Sequence, residues 1–278
     1  MQIIYHYCDV AAFFNIMKNK KIWLSGVNNL NDHQEVEWTI GKIHCELQKL
    51  ETKFPLADIE GLWNQIQQSR STPYVCSFSS EGDLLSQWRA YARDGTGFAI
   101  GFNADYFPNS GKFPHLSASL TNSITTLPVI YAEAEQEAFI EASLIACLQS
   151  LSGKSEDEKF NILAGAAYAL NGQSTIYKNP AFSEEKEWRI IHIPLITGNI
   201  ESNKTTVLSA ISDIQHRVSA ERIVTYFEYD FSKSDGTQPI VDIVLGPKCA
   251  TSSYDLSLFL TVYGFQNVRP RKSAATYR

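Results

Sequence analysis

The chain has 278 residues, of which 44% are apolar and 19% charged, a balance that supports a buried core and excludes a disordered polymer. A formal net charge of -6 excludes a broad basic footprint for nucleic acid and leaves only Arg269, Arg271, Lys272 and Arg278, read as a solvated tail. Five scattered cysteines without a CxxC pair exclude a zinc knuckle and read as small core residues of a cytoplasmic protein of bacterial type.

The start, Met1 to His6, reads as a strand and not as a signal peptide, and no uncharged apolar run is long enough to span a membrane. Strand, helix and strand are expected over Gln2–Tyr7, Val10–Asn19 and Lys21–Ser25, followed by a turn-rich polar loop from Gly26 to His33. Val36, Ile40, Ile43, Leu47 and Leu50 recur at helical spacing, and Leu56, Ile59, Trp63 and Ile66 repeat it. They predict a packed helical pair inserted around residues 35–70. Tyr74–Phe78 reads as a short strand. Asp83 is placed to cap a helix carrying Leu84, Leu85, Trp88 and Tyr91, which Gly95 ends before a strand over Thr96–Phe102.

A strand over Leu127–Tyr131 leads into helices near Glu133–Leu151 and Asp157–Leu170, a second helical insertion around residues 133–172. Strands follow at Trp188–Ile193, Ile223–Tyr229 and Ile240–Leu245, with a helix expected over Ser209–Val218. Tyr254–Tyr263 reads as a helix and Gln266–Pro270 as a closing strand. The order is no regular βαβ alternation and contains no low-complexity linker. The expected fold class is therefore α+β: a single domain with a mixed or antiparallel central sheet and helical insertions.

The densest chemistry lies in Glu184-Glu185-Lys186-Glu187-Trp188-Arg189-Ile190-Ile191-His192. Alternation along a strand puts Glu185, Glu187 and Arg189 on one face while Trp188 and Ile190 enter the core. Two carboxylates and a guanidinium on a rigid element suit an active cleft, and an exposed sheet face with a solvent-screened Glu–Arg pair explains the same letters. His6, between two tyrosines, reads as a core histidine or as a binding residue. Ser77 and Ser79 place two hydroxyls at a strand end, which turn chemistry also explains. Trp88 and Tyr91 are neighbours on one helix surface, as core or as a stacking platform. Walker, GxGxxG, HExxH and GxSxG motifs are absent, and the histidines are dispersed, so no metal site is expected. Asn31-Asp32-x-x-Glu35 offers oxygens to a hard cation, yet a turn before a helix N-terminus accounts for them equally.

The succession His6, Ser77/Ser79, Trp88/Tyr91 and Glu185-x-Glu187 resembles the ADP-ribosyltransferase pattern, and Tyr74–Phe102 looks similar to the nicotinamide pocket of its polymerase-type branch. A histidine beside an E-x-E mixes signatures of two branches. Over nearly its full length the chain also resembles the bacterial family called domain of unknown function 2971. Tyr5-His6-Tyr7, Ile22-Trp23-Leu24-Ser25 with Asn31-Asp32-x-x-Glu35, Cys76-Ser77-Phe78-Ser79, Trp88-x-x-Tyr91, Gly97 to Phe102, Glu185-x-Glu187-Trp188-Arg189 and Ser273-x-x-x-Tyr277-Arg278 carry it.

The transferase resemblance implies NAD as substrate and an oxocarbenium-like state, with Glu187 as the stabilising carboxylate. His6 would bind the adenosine ribose, its strand would hold the carboxamide, and Trp88 or Tyr91 would stack on nicotinamide. Ser77 and Ser79 would shape the pocket, and Glu185 would position the acceptor, a protein, a nucleic acid or a small molecule. Such an enzyme would serve as a bacterial toxin or phage-defence effector. Rival readings are an NAD glycohydrolase or another glycosidic or phosphate-bond hydrolase, and a non-enzymatic binding or sensing partner, such as one paired with an antitoxin. The transferase reading requires His6, Tyr91 and Glu187 to lie on one side of the sheet and fails if they lie on opposite sides.

Overall fold

A computed structural model describes residues 1–27, 33–68, 73–109, 113–114, 119–199, 204–219, 221–232 and 238–276. Asn28 to Asp32, and with them the Asn31-Asp32-x-x-Glu35 oxygen set, lie outside the described residues, as do Tyr277 and Arg278.

The chain opens with β1 (Ile3–Cys8), α1 (Val10–Asn19) and β2 (Lys21–Gly26). The Asp9 carboxylate accepts from the Ala12 N–H at 2.7 Å and caps α1, and Lys20 leaves it in the left-handed region at φ 54°. Next come α2 (His33–Leu50), α3 (Leu56–Gln68), β3 (Tyr74–Ser79), α4 (Leu85–Tyr91) and β4 (Phe98–Asn103). The middle third holds α5 (Leu120–Ser123), β5 (Ile124–Pro128), α6 (Glu133–Ser150) and α7 (Glu156–Gln173), the last opened by a Ser155/Glu158 capping box. The chain closes with β6 (Glu187–His192), β7 (Leu195–Asn199), β8 (Lys204–Leu208), β9 (Gln215–Ser219), β10 (Arg222–Asp230), β11 (Ile240–Leu245), α8 (Ser253–Val262) and β12 (Arg271–Lys272).

This is a mixed α+β fold on a mostly antiparallel sheet in the order β12-β11-β4-β1-β3-β2-β10-β9, with β6 and β5 branching from β3. One face packs α1 and α8 over Phe13, Met17, Phe98, Phe102, Phe227 and Leu260. On the other face the two helical insertions meet, α2 against α6 and α3 against α7, around Ile43, Leu47, Leu62, Leu144 and Ala167. The small α4 covers Tyr5 and Tyr7 beside them. Gly97 lies where β1 passes closest to the start of β4: a Cβ there would stand 2.0 Å from the Cys8 carbonyl oxygen. Among the described residues no helix is long and apolar enough to cross a membrane.

Several expected elements differ. Ser209–Val218 is no helix: Ser209 has φ 56°, and Gln215–Ser219 pairs with β10. Ile211, Ile214 and Val218 imitate helical spacing, but a neighbouring strand edge decided the segment. The β7–β8 hairpin that precedes it was not anticipated. The closing strand lies beyond Pro270, at Arg271 and Lys272, which pair parallel to Val244 and Leu245. The strand expected at Leu127–Tyr131 begins three residues earlier, at Ile124. Arg271 is no solvated tail, since its Nε donates to Asp242 at 3.1 Å. Asp83 does not cap α4, because Leu84 holds the cap position and the Asp83 carboxylate is engaged elsewhere. Cys8, Cys76 and Cys147 are buried as expected of core residues, but Cys45 is exposed.

Candidate active site

The site begins with the way β3 is shared. One edge of β3 carries β6 along its whole length, from Tyr74↔His192 to Ser79↔Glu187. The other edge is divided: β2 pairs with its start (Ser25↔Val75, Gly26↔Tyr74) and β1 only with its end (Tyr5↔Ser79). Both are antiparallel to β3, hence parallel to each other, and α1 links them. Between the two contacts the edge at Cys76–Phe78 stays open. In an antiparallel strand the N–H and C=O of one residue face the same edge, and successive residues alternate. Ser80 N–H bonds Lys186 O on the β6 side, so Ser77 turns both backbone groups toward the split. The same alternation aims the backbones of Tyr7 and Trp23 there from β1 and β2. The resulting cleft has a volume of about 740 Å³, within the usual range for small-molecule sites.

Glu185 and Glu187 lie at one end. Glu187 opens β6, and on its face Arg189 follows, as expected. The pair is not a screened surface pair, because Glu187 is 6% and Arg189 3% exposed. Arg189 Nε donates to Glu187 Oε1 at 2.6 Å and Nη2 to Oε2 at 2.9 Å; Lys178 Nζ donates to Oε2 at 3.2 Å. The Ser77 hydroxyl adds a fourth donor. A carboxylate accepts about four hydrogen bonds, so Glu187 is filled. Burial alone would raise its pKa, but the charge and hydrogen bonds of Arg189, then Lys178, bring it down to about 2. Its carboxyl is therefore no proton carrier near neutral pH.

Glu185 does not share that strand face. It ends a 3-10 turn, Pro180–Glu185, and Lys186 at φ 46° separates it from β6. The two carboxylates meet through Lys178 instead, whose Nζ donates to Glu185 Oε2 at 2.6 Å. This bond uses one Glu185 oxygen and leaves acceptor capacity on the side chain that lines the cleft.

Against the same-side expectation, His6 lies on the opposite side of the sheet from Glu187, and it reaches the same cleft only from that face. Alternation places it with Cys76 and Phe78 on the α1 side, while Tyr7, Ser77 and Glu187 face the other way; the split lets both sets line one space. His6 Nδ1 donates to the Ser77 carbonyl at 3.0 Å, which fixes that tautomer and leaves Nε2 as the acceptor. Burial, partly offset by this bond, lowers its pKa and keeps the ring neutral. Tyr91, 44% exposed on α4, also lines the cleft, beside Gln87.

Two expected site residues do not reach it. Trp88 is fully buried against Tyr7 with its Nε1 donating to Asp83 at 2.7 Å, so it cannot stack on a ligand. Ser79 is buried and donates to the Glu185 carbonyl oxygen at 2.7 Å, supporting the turn from behind.

Residues 87–190 match the family described as "Protein of unknown function (DUF2971)". The match covers part of the chain, including Tyr91, Glu185, Glu187 and Arg189, and its description carries no activity. No curated protein and no solved structure matches the chain.

At the far end stand residues that the sequence reading gave no role. Trp23 is 41% exposed, and the Arg217 guanidinium lies 5.4 Å from its ring centroid. Lys21 and Glu228 form a 2.6 Å pair beside them. Arg217 and Lys178 carried no sequence signal, because each reaches its partners across strands or turns. Trp23 had one, a large aromatic residue in the short Ile22-Trp23-Leu24-Ser25 strand segment. Among the described residues no group of three or more His, Cys, Asp or Glu is arranged to hold a metal ion.

Proposed function

We propose that the chain binds NAD in the split cleft and breaks its nicotinamide–ribose bond, passing ADP-ribose to an acceptor as the ADP-ribosyltransferases it resembles do. One observation carries this reading: β1 and β2 diverge along β3 and bring His6, Ser77, Tyr91, Glu185 and Glu187 around one space. The open Ser77 N–H and the Tyr7 backbone suit a carboxamide, and Tyr91 offers an aromatic face to a flat ring. Nicotinamide leaves with the bonding electron pair, the acceptor adds at the ribose carbon and releases its proton, and positive charge develops on the sugar between these events.

A fixed carboxylate favours that state over the ground state. Since the oxygens of Glu187 are filled, Glu185 is the carboxylate that meets the ribose, and Glu187 anchors it through Lys178. The acceptor is a protein, a nucleic acid, a small molecule or water, and water would make the protein a glycohydrolase.

Incubation with NAD labelled in the adenylate tests the reading. Label on macromolecules together with free nicotinamide supports transfer, and free ADP-ribose supports hydrolysis. One feature favours a second reading, binding without turnover: Lys178 and Arg189 match the charges of Glu185 and Glu187, which leaves little net negative charge for an oxocarbenium. NAD that binds and remains intact would support that reading and overturn the first.

A further inference from the structure

We infer that the end of the cleft opposite Glu185 is a phosphate-recognition site built on Arg217, taking the phosphate groups of a nucleotide. This deepens the reading above by naming what the other half of the cleft binds. Arg217 rises from β9 and reaches across β10 to β2. There its guanidinium lies over the Trp23 ring and Nη2 donates to the Ser25 hydroxyl at 3.3 Å.

A guanidinium has five N–H donors and needs acceptors when it leaves water. Nε is buried and has no acceptor among the described residues. Among the described residues no carboxylate pairs with Arg217. Glu228, an acid that also lines the cleft, is held by Lys21 at 2.6 Å. The contrast with Arg189 is direct, since that arginine holds the Glu187 carboxylate through Nε and Nη2 and donates Nη1 to the Thr175 carbonyl. An unpaired, partly desolvated cation at the wall of an open cleft stands ready for an anion, and a planar fork fits two phosphate oxygens.

Arg217 bonds Ser25, which stands opposite Val75, while Glu187 stands opposite Ser79. The two ends are therefore two strand spacings and four residues apart, about 16 Å between backbones at the usual spacings. Trp23 gives the phosphate end a ring face of its own.

Calorimetric titration of the full chain with ADP, inorganic pyrophosphate, adenosine and glutarate tests the site. ADP and pyrophosphate are expected to bind, and Arg217→Gln to weaken both by about 10- to 100-fold while adenosine is unaffected. Arg217→Lys keeps the charge and the packed stem, guards against a folding defect, and is expected to fall between the two. Glutarate bound as tightly as pyrophosphate would overturn the phosphate assignment in favour of a carboxylate site. ADP affinity unchanged in Arg217→Gln, or no ADP binding by the wild type, would overturn it outright. These readouts need no turnover: nicotinamide release with an indifferent Arg217 sinks this inference alone, and ADP binding through Arg217 without NAD cleavage sinks only the glycosyl-transfer reading.

Discussion

Glu187 is surrounded by Arg189, Lys178 and Ser77, and Glu185 is tied to the same lysine. Removing one charge from a buried pair strands its partners, at a cost of about 3–5 kcal/mol. Glu187→Gln is therefore expected to lower unfolding free energy by that much in urea titrations. Glu185→Gln, at the cleft and bonded through one oxygen, should cost less than about 1.5 kcal/mol yet reduce nicotinamide release by about 10²- to 10³-fold. A Glu187→Gln protein as stable as wild type would refute the anchor role.

Buried His192 provides a pH readout. Its Nδ1 donates to the Ser123 carbonyl at 3.1 Å, Nε2 has no partner among the described residues, and burial lowers its pKa from 6.5 to about 4. Between those values the unfolded chain binds a proton that the folded one refuses, so stability falls as pH drops from 6.5 to 4. The expected loss is on the order of 3 kcal/mol, and His192→Asn should flatten that part of the profile. Glu187 acts lower: its contribution is complete above 4.5 and is lost as pH falls toward 2.

At the scale of elements, the cleft wall that bears Tyr91 is held by the C-terminal segment. The Asp83 carboxylate accepts from Trp88 Nε1 at 2.7 Å, Ser273 Oγ at 2.5 Å and Ala274 N–H at 2.7 Å, fastening residues 273–274 to the base of α4. Three bonds to one ionised group explain why Asp83 is unavailable as a cap. Asp83→Ala is expected to destabilise by about 2–3 kcal/mol and to speed tryptic cleavage at Arg271 and Lys272. Unchanged cleavage would show that the segment is held by β12 pairing alone. Element legibility followed the source of the ordering. Val10–Asn19 and Ile240–Leu245 were readable to the residue, because their apolar pattern, breakers and caps lie within the segment. Ser209–Val218 was not, because β9 exists only as the partner of β10.

Over the whole molecule, two helical insertions separated by more than sixty residues close on each other and on Val75 and Ile191, on the sheet face that Ser77 and Glu187 share. Leu144, fully buried on α6, touches that shared core. Leu144→Ala is expected to cost about 2–5 kcal/mol and to raise hydrogen exchange in α2 and α3 as well as in α6 and α7. Loosening confined to α6 and α7 would mean that the insertions are energetically separate. The net charge of -6 acts at this scale too, so any anion entering the cleft depends on local cations such as Arg217.

The sequence by itself determined the α+β class, most helices and strands, and the Glu185–Arg189 run as a place of concentrated charge, since period and composition are local properties. It also held His6, Ser77 and Tyr91, side chains that do line the cleft. Tertiary structure alone decided that β1 and β2 part along β3, that Trp88 goes to the core, that Lys178 fills Glu187 and links it to Glu185, and that Arg217 Nε is buried with no acceptor among the described residues. Those outcomes depend on which strand edges meet and on how many donors surround one oxygen, quantities that spacing along a chain does not contain.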